Sequence, residues 1–88
     1  MTSEQTALYK AIDEILWNYW DPIGVKDSEN ARDEYDFYIP KIYSLKNSGA
    51  SEVEIAQMLL KFETDRMGLL GDKENCKLAA QKIIELSI

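Results

Sequence analysis

Apolar side chains recur every third or fourth residue along almost the whole chain, and that spacing constrains the fold more than any other feature. Such a period belongs to an amphipathic helix, where side chains three and four apart share one side. Alternation of the strand kind is missing, and only two prolines and four glycines punctuate the chain. The spacing predicts an all-α fold, a compact and mostly antiparallel four-helix arrangement with short connections. A single helical domain over residues 1–88 follows from the length and from the absence of repeats, low-complexity tracts or dividing linkers.

The first helix is expected from about Ser3 to Trp20. Thr2 and Gln5 stand at capping-box spacing, and Leu8, Ile12, Ile15, Leu16 and Tyr19 make one apolar face. Pro22 ends the helix because it disfavours helical geometry at Asp21, and Asp21-Pro22-Ile23-Gly24 fits a type I turn. A second helix is expected from near Ser28 or Asn30 to about Ser48, with Ala31, Tyr35, Tyr38, Ile39, Ile42 and Leu45 as its stripe. Pro40 lies inside this pattern and removes the bond to the Asp36 carbonyl. The stripe keeps its phase across Pro40, which favours one kinked helix over two short ones.

Gly49 is a natural terminator, and Ser51-Glu52-Val53-Glu54 caps a third helix expected to reach about Met67. Ile55, Met58, Leu59 and Phe62 form its main face, and Val53, Ala56, Leu60 and Met67 a second strip. Beyond the break at Gly68–Gly71, Asp72 is placed to cap a fourth helix that turns Cys76, Ala79, Ala80, Ile83 and Leu86 inward.

Charge is unevenly distributed. The net charge is −6, and the whole excess falls in residues 1–40, with nine acidic and three basic side chains. Such a surface repels nucleic acid and anionic lipid and favours a basic protein partner. No run approaches the ~18 apolar residues of a membrane span. Met1-Thr2-Ser3-Glu4 lacks the basic and apolar segments of a signal peptide, and the single Cys76 cannot form an internal disulfide. A cytoplasmic setting is therefore expected.

Few residues carry obvious chemistry. Histidine is absent, which removes the commonest general base and zinc ligand. Cys76 falls on an apolar face and reads as a small core residue. Gly68-Leu69-Leu70-Gly71 lacks the lysine and hydroxyl of a phosphate loop. Asp27, Glu29, Asp33, Glu34 and Asp36 suggest a cation site, but an EF-hand loop from Asp27 would place Ala31 fifth and Tyr38 twelfth, so it fails. No catalytic, cofactor-binding or metal-binding residue is expected.

Side chains that break the pattern are more informative. Trp17 lies opposite the Leu8–Tyr19 stripe beside Lys10, Asp13 and Glu14, and Phe37 lies opposite the Tyr35–Ile42 stripe beside Asp33 and Lys41. Aromatics ringed by charge compose many binding surfaces. The other reading is that the loop from Asp21 to Asn30 folds back over them. The expected partner-binding set is Asp13, Glu14, Trp17, Trp20, Asp33, Glu34, Asp36 and Phe37. Arg66 projects along the Ile55–Phe62 stripe, so it is expected to form a structural ion pair with Asp21, Asp33 or Glu34.

Three stretches resemble a widespread family of short bacterial proteins: Trp20-Asp21-Pro22-Ile23-Gly24-Val25, Asp33-Glu34-Tyr35-Asp36, and Glu63-Thr64-Asp65-Arg66-Met67-Gly68-Leu69. The resemblance runs from about Leu16 to Leu86. It implies an all-helical fold, bacterial origin and no catalytic residue. Related sequences occur near polymorphic toxin or contact-dependent inhibition genes, which gives an immunity role slight support. The leading expectation is a non-enzymatic protein that binds a basic partner through its acidic, aromatic first half. The alternatives are a homo-oligomer joined through Trp17 and Phe37, and an enzyme with a pocket lined by Asp21, Glu63 and Arg66.

Overall fold

Four α-helices appear in a computed structural model that describes residues 2–26 and 28–87, with the backbone alone at Glu29. They are α1 (Ser3–Ile15), α2 (Ile39–Asn47), α3 (Glu52–Lys61) and α4 (Lys73–Ile84), and no strand forms among the described residues. The all-α, four-helix arrangement expected from the apolar spacing is the observed one. Its radius of gyration, 12.2 Å, matches the ~12 Å of a folded chain this long. No helix among the described residues is long and apolar enough to cross a membrane.

Local chemistry starts the helices where the sequence places them. Thr2 and Gln5 exchange bonds at the head of α1: the Gln5 amide donates to Thr2 Oγ1 at 3.1 Å, and the Thr2 amide to Gln5 Oε1 at 2.7 Å. Ser51 and Glu54 do the same for α3, both bonds being 3.2 Å long. Asp72 Oδ1 accepts from the Asn75 amide at 3.0 Å and caps α4. Each cap satisfies first-turn amides that have no partner within the helix.

The core gathers Leu8, Ile12 and Ile15 of α1, Ile39 and Ile42 of α2, Ile55 and Leu59 of α3, and Cys76, Ala79, Ala80 and Ile83 of α4. The most extensive packing is α3 on α4, where two alanines let the backbones approach; α1 lies against α2 and also touches α4. At the other end of α4, Lys46 Nζ donates to the Ile84 and Leu86 carbonyls, each at 3.0 Å. A cation there meets both the unpaired carbonyls and the negative end of the helix dipole.

Pro40 starts a helix instead of bending one, which corrects the expected kinked second helix. Before it runs a short 3₁₀ segment, Glu29–Ala31, followed by successive turns. Bonds to the third residue back close them: Glu34 to Ala31 at 2.9 Å, Asp36 to Asp33 at 3.1 Å, Tyr38 to Tyr35 at 2.9 Å. Proline has no N–H to give and its ring crowds the Asp36 carbonyl, so α-helical pairing cannot pass through it. Near the start of α2 neither defect matters. The tighter turns still carry Tyr35 and Ile39 into the core, which is why the stripe looked continuous.

Two wide turns matter most for the rest of the molecule. α1 continues into a π-helical turn, Leu16–Trp20, in which the Asp21 amide donates five residues back to Leu16 at 2.9 Å. α3 ends likewise in Phe62–Arg66, where Met67 donates to Phe62 at 3.1 Å. A π turn takes one residue more to come round, so residues beyond it are set back by roughly the 100° that one residue advances in an α-helix. The setback rotates Trp20 to complete burial and turns Tyr19, expected inside, 44% outward beneath Lys82 Nζ. In the second wide turn it leaves Arg66 on the surface, while Glu63 at its start is buried.

Candidate functional site

Asp21 opens the loop after α1 with φ 29°, a left-handed conformation uncommon outside glycine. Its carboxylate makes that position tenable by accepting from the Val25 amide at 2.8 Å and the Lys26 amide at 3.2 Å. The Gly24 amide donates to the Asp21 carbonyl at 3.2 Å, closing the turn expected around Pro22. Tyr35 completes the arrangement: its hydroxyl donates to Asp21 Oδ1 at 2.7 Å and accepts from the Ile23 amide at 3.3 Å. Burial, followed by the bond to Asp21, pushes the Tyr35 phenol well above its ordinary range. Asp21 is therefore a loop organiser and forms no ion pair with Arg66.

On the outer side of α1, Arg32 reaches back across a shallow groove lined also by Lys10, Asp33 and Asp36. Its guanidinium grips Asp13 with two bonds, 2.9 and 3.1 Å, and Glu14 with a third at 2.9 Å. It also lies 4.9 Å from the centre of the Trp17 ring, whose inner neighbour Tyr35 is 6.2 Å away. Trp17 is consequently 8% exposed and Trp20 not at all. Neither is a surface anchor, contrary to expectation, and a symmetric contact between Trp17 rings is removed with them. The cover comes from Arg32 and Tyr35, beyond the loop that was the expected lid.

Asp33, Glu34, Asp36 and Phe37 do stand on the surface. Asp36 has its carboxyl pushed up, first by desolvation and then by Asp13 and Asp33, with Arg32 opposing. Phe37 is 65% exposed, meets Tyr38 edge-on at 5.5 Å, and carries the Arg66 guanidinium 4.4 Å over its ring. Arg66 thus pairs with an aromatic face, not with Asp21, Asp33 or Glu34. The wide turn explains the correction: it swings Arg66 away from the core stripe, while Glu63, four residues after Leu59, stays beside it.

Glu63 is the buried charge of the fold, 2% exposed. Its Oε2 accepts from the Trp20 indole at 2.8 Å and from the Cys76 thiol at 2.7 Å, and its Oε1 from the Asp72 amide at 2.9 Å. Asn75 closes the ring by donating its side-chain amide to the Trp20 carbonyl. Trp20 packs on Tyr35, Tyr38 and Phe62 with ring centres 5.3, 5.7 and 6.2 Å apart. Asp21, Glu63 and Arg66 therefore each have their own partners and do not converge on a pocket.

Cys76 is the core residue its spacing predicts, and burial with the Glu63 bond pushes its thiol up to about 12. Asp27, first residue of the acidic run weighed as a cation site, lies outside the described residues. Among the described residues no cluster of three metal-ligating side chains forms.

Sequence reasoning assigned no role to Arg32, and to Glu63 only that of a pocket acid. Arg32 could have been found as one of two cations, with Lys26, between the α1 carboxylates and Asp33–Asp36, and the only one with a guanidinium fork. Glu63 stands four residues from Leu59 and next to Phe62, at the edge of an apolar stripe. No family model matches this chain, and neither a curated protein nor a solved structure matches it.

Proposed function

We propose that this chain is a non-enzymatic protein-binding module whose acidic, aromatic face docks on the basic surface of another protein. One observation carries the reading: Phe37 is exposed beside Asp33, Glu34 and Asp36, which have no cation of their own among the described residues. Arg32 is engaged by Asp13 and Glu14 and Arg66 lies on one face of the Phe37 ring, so among the described residues no ion pair ties up Asp33, Glu34 or Asp36. Uncompensated charge steers encounter, and a ring that becomes buried on docking slows release.

The thiol supports the non-enzymatic side of the reading. Held protonated up to about 12, Cys76 supplies no thiolate near neutral pH, and the chain has no histidine to act as base. In the family that the three stretches resemble, the fitting partner class is a toxin with a basic surface, blocked in the cytoplasm by occlusion.

The test is capture of partners from the cells that make the protein, followed by mass spectrometry. Phe37→Ala and the combination Asp33→Lys, Glu34→Lys, Asp36→Lys should each lose the same partner. Glu85→Lys, exposed at the end of α4, should keep it. Equal capture by all of these variants contradicts the reading.

A further inference from the structure

A second surface of opposite sign lies between α2 and α3. Lys41 of α2, Lys61 of the last turn of α3 and Arg66 of the wide turn edge a groove of about 510 Å³ floored by Met58 and Phe62. Among the described residues no carboxylate oxygen lies within 4.0 Å of these three cations. The one acid on the rim, Asp65, accepts from the Thr64 hydroxyl at 3.3 Å. An excess of cations in one groove is unexpected on a chain of net charge −6.

Arg66 is also pre-positioned. Its guanidinium sits 4.4 Å over Phe37, which restrains the side chain while leaving its N–H groups free for a planar acceptor. A carboxylate fits that fork with two parallel bonds. The floor is apolar, so it rewards a partner that brings a hydrophobic side chain as well as charge.

From these features we infer that the α2–α3 groove docks an acidic peptide segment of a partner protein, one that carries an apolar residue among its carboxylates. Lys41 and Lys61 attract the flanking acids, Arg66 takes one carboxylate, and the apolar side chain settles on Met58 and Phe62. Three cations on an otherwise acidic molecule suit a short acidic segment better than a nucleic acid, whose continuous phosphates meet repulsion beyond the groove. The groove meets the acidic face of the proposed function at Arg66, whose guanidinium lies on the Phe37 ring, so Lys41 and Lys61 are the positions that test the groove apart from that face.

Fluorescence anisotropy tests it with a fluorescein-labelled peptide of alternating glutamate and leucine at low salt. Saturable binding is expected, weakened about tenfold by Lys41→Glu with Lys61→Glu and about fivefold by Arg66→Gln. All three positions are exposed, and unchanged circular dichroism and melting confirm folded variants. A lysine–leucine peptide should not compete, and a labelled DNA duplex should not bind. Absence of peptide binding, indifference to the substitutions, or equal affinity for the duplex overturns the proposal. Sedimentation showing that a second copy fills the groove, with self-association abolished by the lysine reversals, also overturns it.

Discussion

The indole N–H of Trp20 donates to Oε2 of Glu63 at 2.8 Å, and this bond joins the two wide turns of the fold. With Cys76 and the Asp72 amide, three donors meet one buried carboxylate that forms no ion pair among the described residues. Hydrogen bonds to a charged acceptor are stronger than neutral ones, and losing the acceptor strands every donor at once. The ends of α1 and α3 and the start of α4 are thereby held at one pole.

Glu63→Ala should destabilise the fold by about 3–5 kcal/mol, since three donors lose their acceptor and a buried space opens. Glu63→Gln, which keeps one acceptor but turns an amide toward donors, should cost about 1–3 kcal/mol. Urea unfolding at neutral pH measures both. A glutamine variant as stable as the original would show that the carboxylate is dispensable.

Cys76 should resist alkylation. Its thiol is pushed up to about 12, whereas an unfolded cysteine ionises near ~8.5. Iodoacetamide at about pH 9 should label the native chain far more slowly than the chain in concentrated urea. Between the two pKa values the unfolded state binds fewer protons than the native one, so stability falls as pH rises through that window. Cys76→Ala should flatten this slope. Tyr35, also pushed up, leaves a residual slope of the same sign.

Arg32→Ala should uncover Trp17 and shift its fluorescence to longer wavelength. The loss of stability should be only about 1 kcal/mol, because the Arg32 side chain is 37% exposed and solvent screens its pairs. Arg32→Lys should restore little, having no fork for Asp13 and no plane to lie against Trp17. Asp36 gives the matching pH signature. Its raised pKa means that ionisation costs stability as pH climbs past the unfolded carboxylate value. Asp36→Asn should therefore raise the melting temperature at neutral pH, by at most about 2–4 °C, and not in acid.

Gly68 and Gly71 both have positive φ, 69° and 93°, yet they should differ on substitution. A Cβ at Gly68 meets nothing within 4 Å, while one at Gly71 would lie 2.7 Å from Leu60 Cδ1. Alanine should cost about 1 kcal/mol at Gly68 and about 1–2 kcal/mol at Gly71, where the terminal methyl of Leu60 must turn aside, as read from thermal melts. Equal losses at the two sites would count against the tight approach of Leu60.

What the sequence made legible was local. Ser51-Glu54, Thr2-Gln5 and Asp72 start helices through contacts three residues apart, and Cys76 lies on an unbroken α-helical stripe. What stayed hidden depended on one extra residue in a turn. Trp17, Tyr19 and Arg66 were all placed by continuing a 3.6-residue period through segments that widen. No composition signal marks either widening, because the gain that favours each is the distant bond between Trp20 and Glu63. Pro40 shows the converse, since its effect on pairing is local but the stripe across it hid the break. On the acidic face, the exposure of Asp33, Glu34, Asp36 and Phe37 was legible because only Arg66 and Tyr38 lie against the Phe37 ring and neither buries it.

Phe37 and the carboxylates beside it are the proposed docking face for a basic protein. The most direct measurement is the association rate of the captured partner by stopped flow, across ionic strength, for the original chain and Phe37→Ala. The account predicts a rate that falls steeply as salt rises, and faster dissociation once the ring is gone. A rate indifferent to salt, with unchanged dissociation in the Phe37→Ala variant, would contradict it.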